Sequence, residues 1–225
     1  CNGCGLCATV CPTGALEAQG PNNAEILGKI QEILRDRSWV AFACLKLQKV
    51  LGRAGEACLT TSCLGRLDES VLVGAIAVGA QAVWLVDAAC SQCPQGMGHR
   101  LAVQSVQRAN AWLQAWGRSP CISMRRELPP DARAGDRAPA GVDDLSRRAF
   151  FQVLARRTAR AAAITVSSLV GGHAEEEETG PLPKGVLPVR VPGKRRLLLA
   201  ALRRLGRPVA ATLDVGDGPW ARFAV

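Results

Sequence analysis

Short apolar runs alternate with amphipathic stretches along the first 124 residues. Apolar positions recur at helical spacing in four stretches, at residues 23–37, 46–53, 68–79 and 97–116. Four compact apolar runs, which predict buried strands, lie at residues 39–44, 57–63, 82–87 and 121–124. Strands that alternate with helices in this way indicate an α/β fold with a small parallel sheet and flanking helices.

The regular pattern ends after the fourth predicted strand. Residues 127–144 are rich in Pro, Gly, Ala, Asp and Arg and have no periodic apolar signal, so we interpret them as a linker. Residues 145–225 are predicted to contain basic helices at 145–170 and 195–205, with an acidic and proline-rich flexible stretch between them. We therefore expect residues 21–126 to fold as an α/β domain without help from the basic region.

The net charge of +9 is distributed unevenly. Residues 1–124 carry ten Lys and Arg against eight Asp and Glu, whereas residues 125–225 carry eighteen against eleven. Such a basic region is typical of a surface that binds nucleic acid or an acidic protein. No aromatic residues alternate with the basic clusters and no nucleic-acid motif is present, so the sequence argues against nucleic acid.

The chain opens on four closely spaced cysteines followed by a proline, namely Cys1, Cys4, Cys7, Cys11 and Pro12. This C-x2-C-x2-C-x3-C-P spacing is the ligand run of bacterial ferredoxins that hold [4Fe–4S] clusters. Residues 1–20 thus resemble a partial bacterial-type ferredoxin module, and the resemblance implies that these four cysteines bind a [4Fe–4S] cluster. The alternative is a structural zinc site, which usually pairs two C-x2-C units across a longer spacer.

The first residue of the chain is also the first cysteine of this run. From this we expect that the sequence is a fragment of a longer protein. In two-cluster ferredoxins the last cysteine of the run, here Cys11, serves the other cluster, so Cys1, Cys4 and Cys7 would need a fourth ligand from another Cys-Pro pair. We expect that pair just beyond Val225, with a position upstream of Cys1 as the alternative.

Four further cysteines fall at the ends of predicted strands. Cys44 and Cys63 end the first two strands, and Cys90 and Cys93 follow the third. Because the carboxyl ends of parallel strands meet at one edge of a sheet, we expect these thiols to converge. Four thiols suit a second iron–sulfur cluster, either [2Fe–2S] or [4Fe–4S], or a zinc ion. The alternatives are a redox dithiol formed by Cys90 and Cys93, and ordinary buried cysteines.

Three other residues that could bind metals are given structural roles. Cys58 and Cys121 lie within predicted strands and are interpreted as core residues. His99 lies near the predicted sheet edge, but no carboxylate or cysteine stands at a spacing that suggests catalysis. We therefore expect His99 to be a satisfied polar group.

A second resemblance covers residues 40–116. The residues that carry it are 62–68, Ala75, 79–83, the pair Cys90 and Cys93, and 96–100. They resemble the small iron–sulfur subunit of methyl-viologen-reducing hydrogenase and heterodisulfide reductase complexes. The resemblance implies an α/β domain that carries an iron–sulfur cluster and passes electrons between larger subunits. The chain departs from the pattern at Leu64, which is inserted between cysteine and glycine, and at residues 91–94, which lack the Gly-Asp-Cys-His signature.

These features predict an iron–sulfur electron carrier that is a subunit or module of an oxidoreductase complex, with redox proteins or larger oxidoreductase subunits as partners. Clustered cysteines argue for a reducing compartment, so we expect a cytoplasmic protein, and no apolar run reaches the length of a membrane span. The sequence proposes no catalytic residue. The alternative functions are a structural metal-binding module that docks nucleic acid or an acidic protein, and a thiol oxidoreductase that uses Cys90 and Cys93.

Overall fold

A computed structural model of the chain describes residues 1–51, 58–128 and 193–209. Four parallel strands form one sheet in the order β2-β1-β3-β4. The strands are Trp39–Cys44 (β1), Cys58–Thr61 (β2), Ala82–Val86 (β3) and Ile122–Arg125 (β4). The predicted α/β fold with a small parallel sheet is therefore confirmed.

Six α-helices lie in the described ranges. They are Leu6–Val10 (α1), Asn23–Ile33 (α2), Leu45–Leu51 (α3), Glu69–Ala77 (α4), Gly96–Ala115 (α5) and Gly193–Leu205 (α6). Side-chain caps define where two of them begin. The Asn22 side chain accepts the Glu25 N–H in a capping box at α2, and the Asp68 carboxylate accepts the first N–H groups of α4.

The strand order places helices on both faces of the sheet. β2 and β3 lie on opposite sides of β1. Because connections between parallel strands are right-handed, the connecting helix changes face where the strand order reverses. Val40 and Phe42 of β1 accordingly pack into the large core with α4 and α5. Ala41 and Ala43 point to the other face, where they pack with Leu47 of α3.

Helix α4 is the centre of the large core. All nine of its residues are buried, and it packs against α2, α5 and α6. Helix α6 contributes Leu198, Ala201 and Leu202 to the same core. This contact joins part of the basic region to the α/β unit, because α6 buries its apolar side against α4. The domain boundary expected at residue 145 stays a prediction. Deleting residues 145–225 would expose this side of α4.

Two further parts of the chain for which the sequence makes predictions lie outside the described residues. Residues 129–144, which make up most of the predicted linker, lie outside the described residues. The basic helix predicted at residues 145–170 lies outside them as well. Both remain predictions from the sequence.

We expect Leu198→Ala to lower the free energy of unfolding by about 2–4 kcal/mol, because Leu198 is 3% exposed in the contact between α6 and α4. Leu45→Ala is the matched control, since Leu45 is 51% exposed, and its effect should stay within about 0.5 kcal/mol. Urea unfolding followed by circular dichroism measures both variants. Equal effects would show that α6 does not belong to the core.

Candidate functional site

The N-terminal cysteines lie on a tight loop around one short helix. Gly3 and Gly5 have φ of 64° and 80°, a left-handed conformation that residues with a Cβ resist. Cys7 lies in α1, and the Cys11 N–H donates to its carbonyl at 3.1 Å where the helix ends. Cys1 and Cys7 are exposed, whereas Cys4 and Cys11 are partly buried.

The surroundings of Cys11 favour its thiolate form. The Thr13 hydroxyl lies 3.5 Å from Cys11 Sγ. Hydrogen bonds from this hydroxyl, and next from the Leu16 backbone, lower the pKa of Cys11 from 9.0 to about 6. Since the thiolate is the form that binds metals, Cys11 is suited to be a ligand. Hydrogen bonds to ligand sulfurs also influence the reduction potential of an iron–sulfur cluster.

The N-terminal loop is attached to the turn that follows β2. The Ser62 hydroxyl donates to the Cys4 carbonyl at 3.1 Å, and the Thr9 hydroxyl donates to the Arg66 carbonyl at 3.1 Å. These bonds join residues 58 and 57 positions apart. The loop therefore has a defined position against the carboxyl edge of the sheet.

Helix α6 contacts the same loop through Lys194. The Lys194 ammonium donates to the carbonyls of Ala8 and, at 3.1 Å, of Thr9. A cation is favourable there because these carbonyls belong to the C-terminal half of α1. Lys194 Nζ also lies 3.7 Å from the carboxylate of Asp68, which is 2% exposed. One lysine thus connects α1, the cap of α4 and α6.

The other four cysteines of interest lie along the carboxyl edge of the sheet. Cys44 ends β1 and pairs in register with Thr61, the last residue of β2, so Cys63 follows just beyond the neighbouring strand. Cys90 begins a short 3₁₀ turn after β3, and the Cys93 N–H donates to its carbonyl at 3.2 Å. Because the strand order reverses between β1 and β3, this edge is where α/β folds bind ligands.

The thiols at this edge are close enough to influence one another. Burial raises the pKa of Cys63, and a hydrogen bond from the Gly65 backbone partly opposes this rise. Repulsion from the neighbouring Cys4, Cys93 and Cys44 makes smaller contributions that also raise the pKa. Burial also raises the pKa of Cys90 to about 12, with smaller contributions from neighbours that include Cys44 and Cys63. Cys44, Cys63, Cys90 and Cys93 thus lie at or just beyond the ends of parallel strands, and their convergence in one site stays a prediction. Because Cys4 belongs to the N-terminal run, the two groups of cysteines adjoin.

Cys63 fills a space that exists because residue 98 is glycine. Gly98 lies in the first turn of α5, and a Cβ at this position would overlap Cys63 Sγ. Gly65 is equally confined, because a Cβ there would overlap the Gly98 backbone and the Leu6 side chain. The turn after β2 is thus packed between α1 and α5 with no room for a side chain at residues 65 and 98.

The structure agrees with the structural roles that the sequence predicts for His99, Cys58 and Cys121. The His99 side chain is bonded to Asp87, with 2.9 Å between Nε2 and Oδ2, as expected for a satisfied polar group. Cys58 is buried, which raises its pKa to about 11. Cys121 packs against the large core and its pKa is also raised by burial.

Within residues 1–51, 58–128 and 193–209, no three His, Cys, Asp or Glu side chains come together around a position for a single metal ion. The cysteines form donor sets made only of sulfur, which suit zinc or an iron–sulfur cluster.

Comparison with known proteins supports the interpretation of the N-terminal run. Residues 1–17 match the family model of the 4Fe-4S binding domain. This match supports an iron–sulfur electron-transfer role and implies a [4Fe–4S] cluster. No curated protein and no solved structure matches the chain. Among the helices of the described ranges, none combines the length and the apolar character needed to cross a membrane.

Several residues that build this site were not found from the sequence. Lys194 acts on carbonyls 186 and 185 positions earlier in the chain, a contact that leaves no local pattern. Ser62 contacts Cys4 in the same non-local way. Only Gly98 could have been recognised from the sequence. Gly96 and Gly98 lie at the start of a helix, and glycine is otherwise unfavourable in helices.

We expect Cys4→Ser to remove or severely weaken the N-terminal cluster, because a serine oxygen is a poorer donor to iron than a thiolate. Iron and sulfide analysis with EPR on anaerobically reconstituted protein measures the loss. Cys121→Ser is the control, since Cys121 lies outside both groups, and it should keep the full iron content. An unchanged iron content and EPR signal in Cys4→Ser would rule out Cys4 as a ligand.

We expect Gly98→Ala to lower the free energy of unfolding by about 1–3 kcal/mol, because the new methyl group must displace Cys63 Sγ. Gly96→Ala is a matched control in the same turn, where a new Cβ would meet nothing within 4 Å. That variant should be neutral or slightly more stable. Urea unfolding compares the two, and identical midpoints would show that Cys63 does not occupy the space beside residue 98.

Proposed function

We propose that the protein is an iron–sulfur electron-transfer module with two neighbouring clusters. We assign all four cysteines of the N-terminal run, Cys1, Cys4, Cys7 and Cys11, to the first, a [4Fe–4S] cluster. The alternative, taken from two-cluster ferredoxins, is that Cys11 serves another cluster and a Cys-Pro pair outside the N-terminal run supplies the fourth ligand. The ligands of the second, a [2Fe–2S] or [4Fe–4S] cluster, are Cys44, Cys63, Cys90 and Cys93. When bound, such clusters supply one-electron chemistry, and the chain supplies thiolates, hydrogen bonds and a partly dry environment.

The hydrogen bond from Ser62 to Cys4, which joins the segments that hold the two cysteine groups, is the observation that carries this proposal. The Cys4 thiol lies close enough to Cys63 to raise its pKa. Ser62, the residue before Cys63, binds the Cys4 carbonyl directly. Electron exchange requires neighbouring centres, and the two groups of thiols lie on adjoining segments of the chain.

The wider role that we propose is that of a component of an oxidoreductase complex. The resemblance of residues 40–116 to a small hydrogenase or heterodisulfide reductase subunit supports it, and so does the position of the second cysteine group at the reversal of strand order. The partners would be redox proteins or larger oxidoreductase subunits.

Two alternative functions are less well supported. A thiol oxidoreductase needs a cysteine whose pKa is lowered, whereas burial raises the pKa of Cys90 to about 12. A structural zinc site usually pairs two C-x2-C units across a longer spacer, which differs from the spacing of the N-terminal run. Raised pKa values do not prevent cluster binding, because iron displaces the proton from the thiol.

Iron counting on variants tests the proposal. Reconstituted wild-type protein should hold about six to eight irons per chain, and Cys63→Ala/Cys93→Ala should lose about two to four of them. Cys4→Ser/Cys7→Ser should lose about four. Cys58→Ala is the control, because Cys58 is a buried core residue outside both groups. Visible absorption that dithionite bleaches should accompany the iron.

Three results would contradict parts of this proposal in distinguishable ways. A colourless protein that contains zinc would exclude electron transfer altogether. A wild-type content of about four irons that Cys63→Ala/Cys93→Ala leaves unchanged would exclude the second cluster. Loss of both clusters in each double variant, with cooperative unfolding retained, would show that the cysteines do not divide into two separate groups.

A further inference from the structure

A wide groove runs beside the N-terminal loop, between α6 and residues 14–24. Its volume is about 1200 Å³, above the range of roughly 300–1,000 Å³ that is typical of small-molecule pockets. Apolar side chains line part of it, among them Leu16, Leu199 and Ala200. Leu16 is 53% exposed. A groove of this size with exposed apolar contacts suits the surface of another protein better than a small ligand.

Helix α6 makes this groove positively charged. Residues 193–209 contain six Lys and Arg and no Asp or Glu. Leu198 and Leu202 are buried against the core, so the opposite side of the helix carries Arg196 and Arg203 into the groove. Both arginines are exposed. An anionic partner therefore meets two cations that are held by a helix with a buried apolar side.

Negative charge in the groove is largely neutralised. Asp68 lies on the groove wall, but it is paired with Lys194 at 3.7 Å and accepts a hydrogen bond from Asn23 at 3.0 Å. Glu17 also lies on the wall. Among the described residues that line the groove, cations therefore outnumber the carboxylates that have no cation beside them. The net electrostatic potential in the groove is positive.

We propose that this groove is the docking surface for an acidic one-electron carrier protein, an inference that rests on the electron-transfer function proposed above. Charge complementarity selects an acidic surface, and the apolar wall gives it a desolvated contact. The groove also touches the segment that surrounds Cys11. Leu16, whose backbone bonds to the Cys11 thiol, lines the groove, so a carrier seated there lies next to a proposed ligand of the first cluster.

Nucleic acid is the other anionic macromolecule that a basic groove could attract. Proteins that bind single strands stack bases on aromatic side chains. None of the described residues that line the groove is aromatic. The apolar side chains of Leu16 and Leu199 also line the groove, and a phosphate backbone offers no apolar group for them to contact. The observations therefore favour a protein partner.

Binding of flavodoxin, a small acidic one-electron carrier, tests the inference by a readout that does not depend on electron transfer. Isothermal titration at low and high salt gives Kd for reconstituted wild-type protein and for two charge-reversal variants. Arg196→Glu/Arg203→Glu should weaken binding at low salt by about tenfold or more. Lys29→Glu/Arg35→Glu reverses the same number of exposed charges on and just after α2, outside the groove, and should stay within about twofold of wild type.

Each remaining outcome counts against the groove. Equal loss in both variants would show a general effect of net charge, and no loss in either would place the partner elsewhere. Competition by a short DNA duplex that binds tighter than flavodoxin would make nucleic acid the ligand. Failure of the proposed electron-transfer function would be recognised separately. Dithionite would then bleach no visible absorption of the reconstituted protein, whatever the value of Kd.

Discussion

The close packing of the turn after β2 is the constraint on which both cysteine groups depend. Gly65 and Gly98 leave no room for a methyl group between the turn, α1 and α5. This contact places Cys63 Sγ against the start of α5, and it brings Leu6 of α1 onto the same turn. Close-packed interiors resist displacement, so the segment that carries Cys63 keeps its position against α1 and α5.

A network of buried charges reinforces this packing. Arg66, Asp68 and Glu69 are each less than 9% exposed. The Arg66 guanidinium donates to the Pro21 carbonyl and the Arg108 guanidinium to Glu69, so each charge has a partner from another element. A buried charge that loses its partner destabilises a protein strongly, by about 3–5 kcal/mol. The network therefore ties the segment before α2, the cap of α4, and α5 to one arrangement.

The N-terminal loop lies between the carboxyl edge of the sheet and the basic groove. On one side the Cys4 carbonyl is bound by Ser62 at the sheet edge. On another side the loop contributes Leu16 to the basic groove along α6. An acidic carrier in the groove, the first cluster and the second cluster would thus follow one another in space. Helix α6 takes part at both ends, because its arginines line the groove while Lys194 caps α1.

The sequence by itself determined the elements and the chemistry that depend on local pattern. Alternating apolar runs identified the four strands and their parallel arrangement, and cysteine spacing identified the N-terminal motif that matches the 4Fe-4S binding domain. Strand ends also placed Cys44 and Cys90 at one edge, because parallel strands share a carboxyl edge. Helix α6 was predicted within two residues of its observed start.

Only the tertiary structure decided where α6 packs and what joins the two cysteine groups. The apolar side of α6 could have faced solvent, a linker or another protein, since a periodic pattern states that a side is buried but not against what. The bonds of Ser62 to Cys4 and of Lys194 to Ala8 join residues that are 58 and 186 positions apart. Such contacts leave no periodicity in the chain, because they arise when separately formed elements pack together.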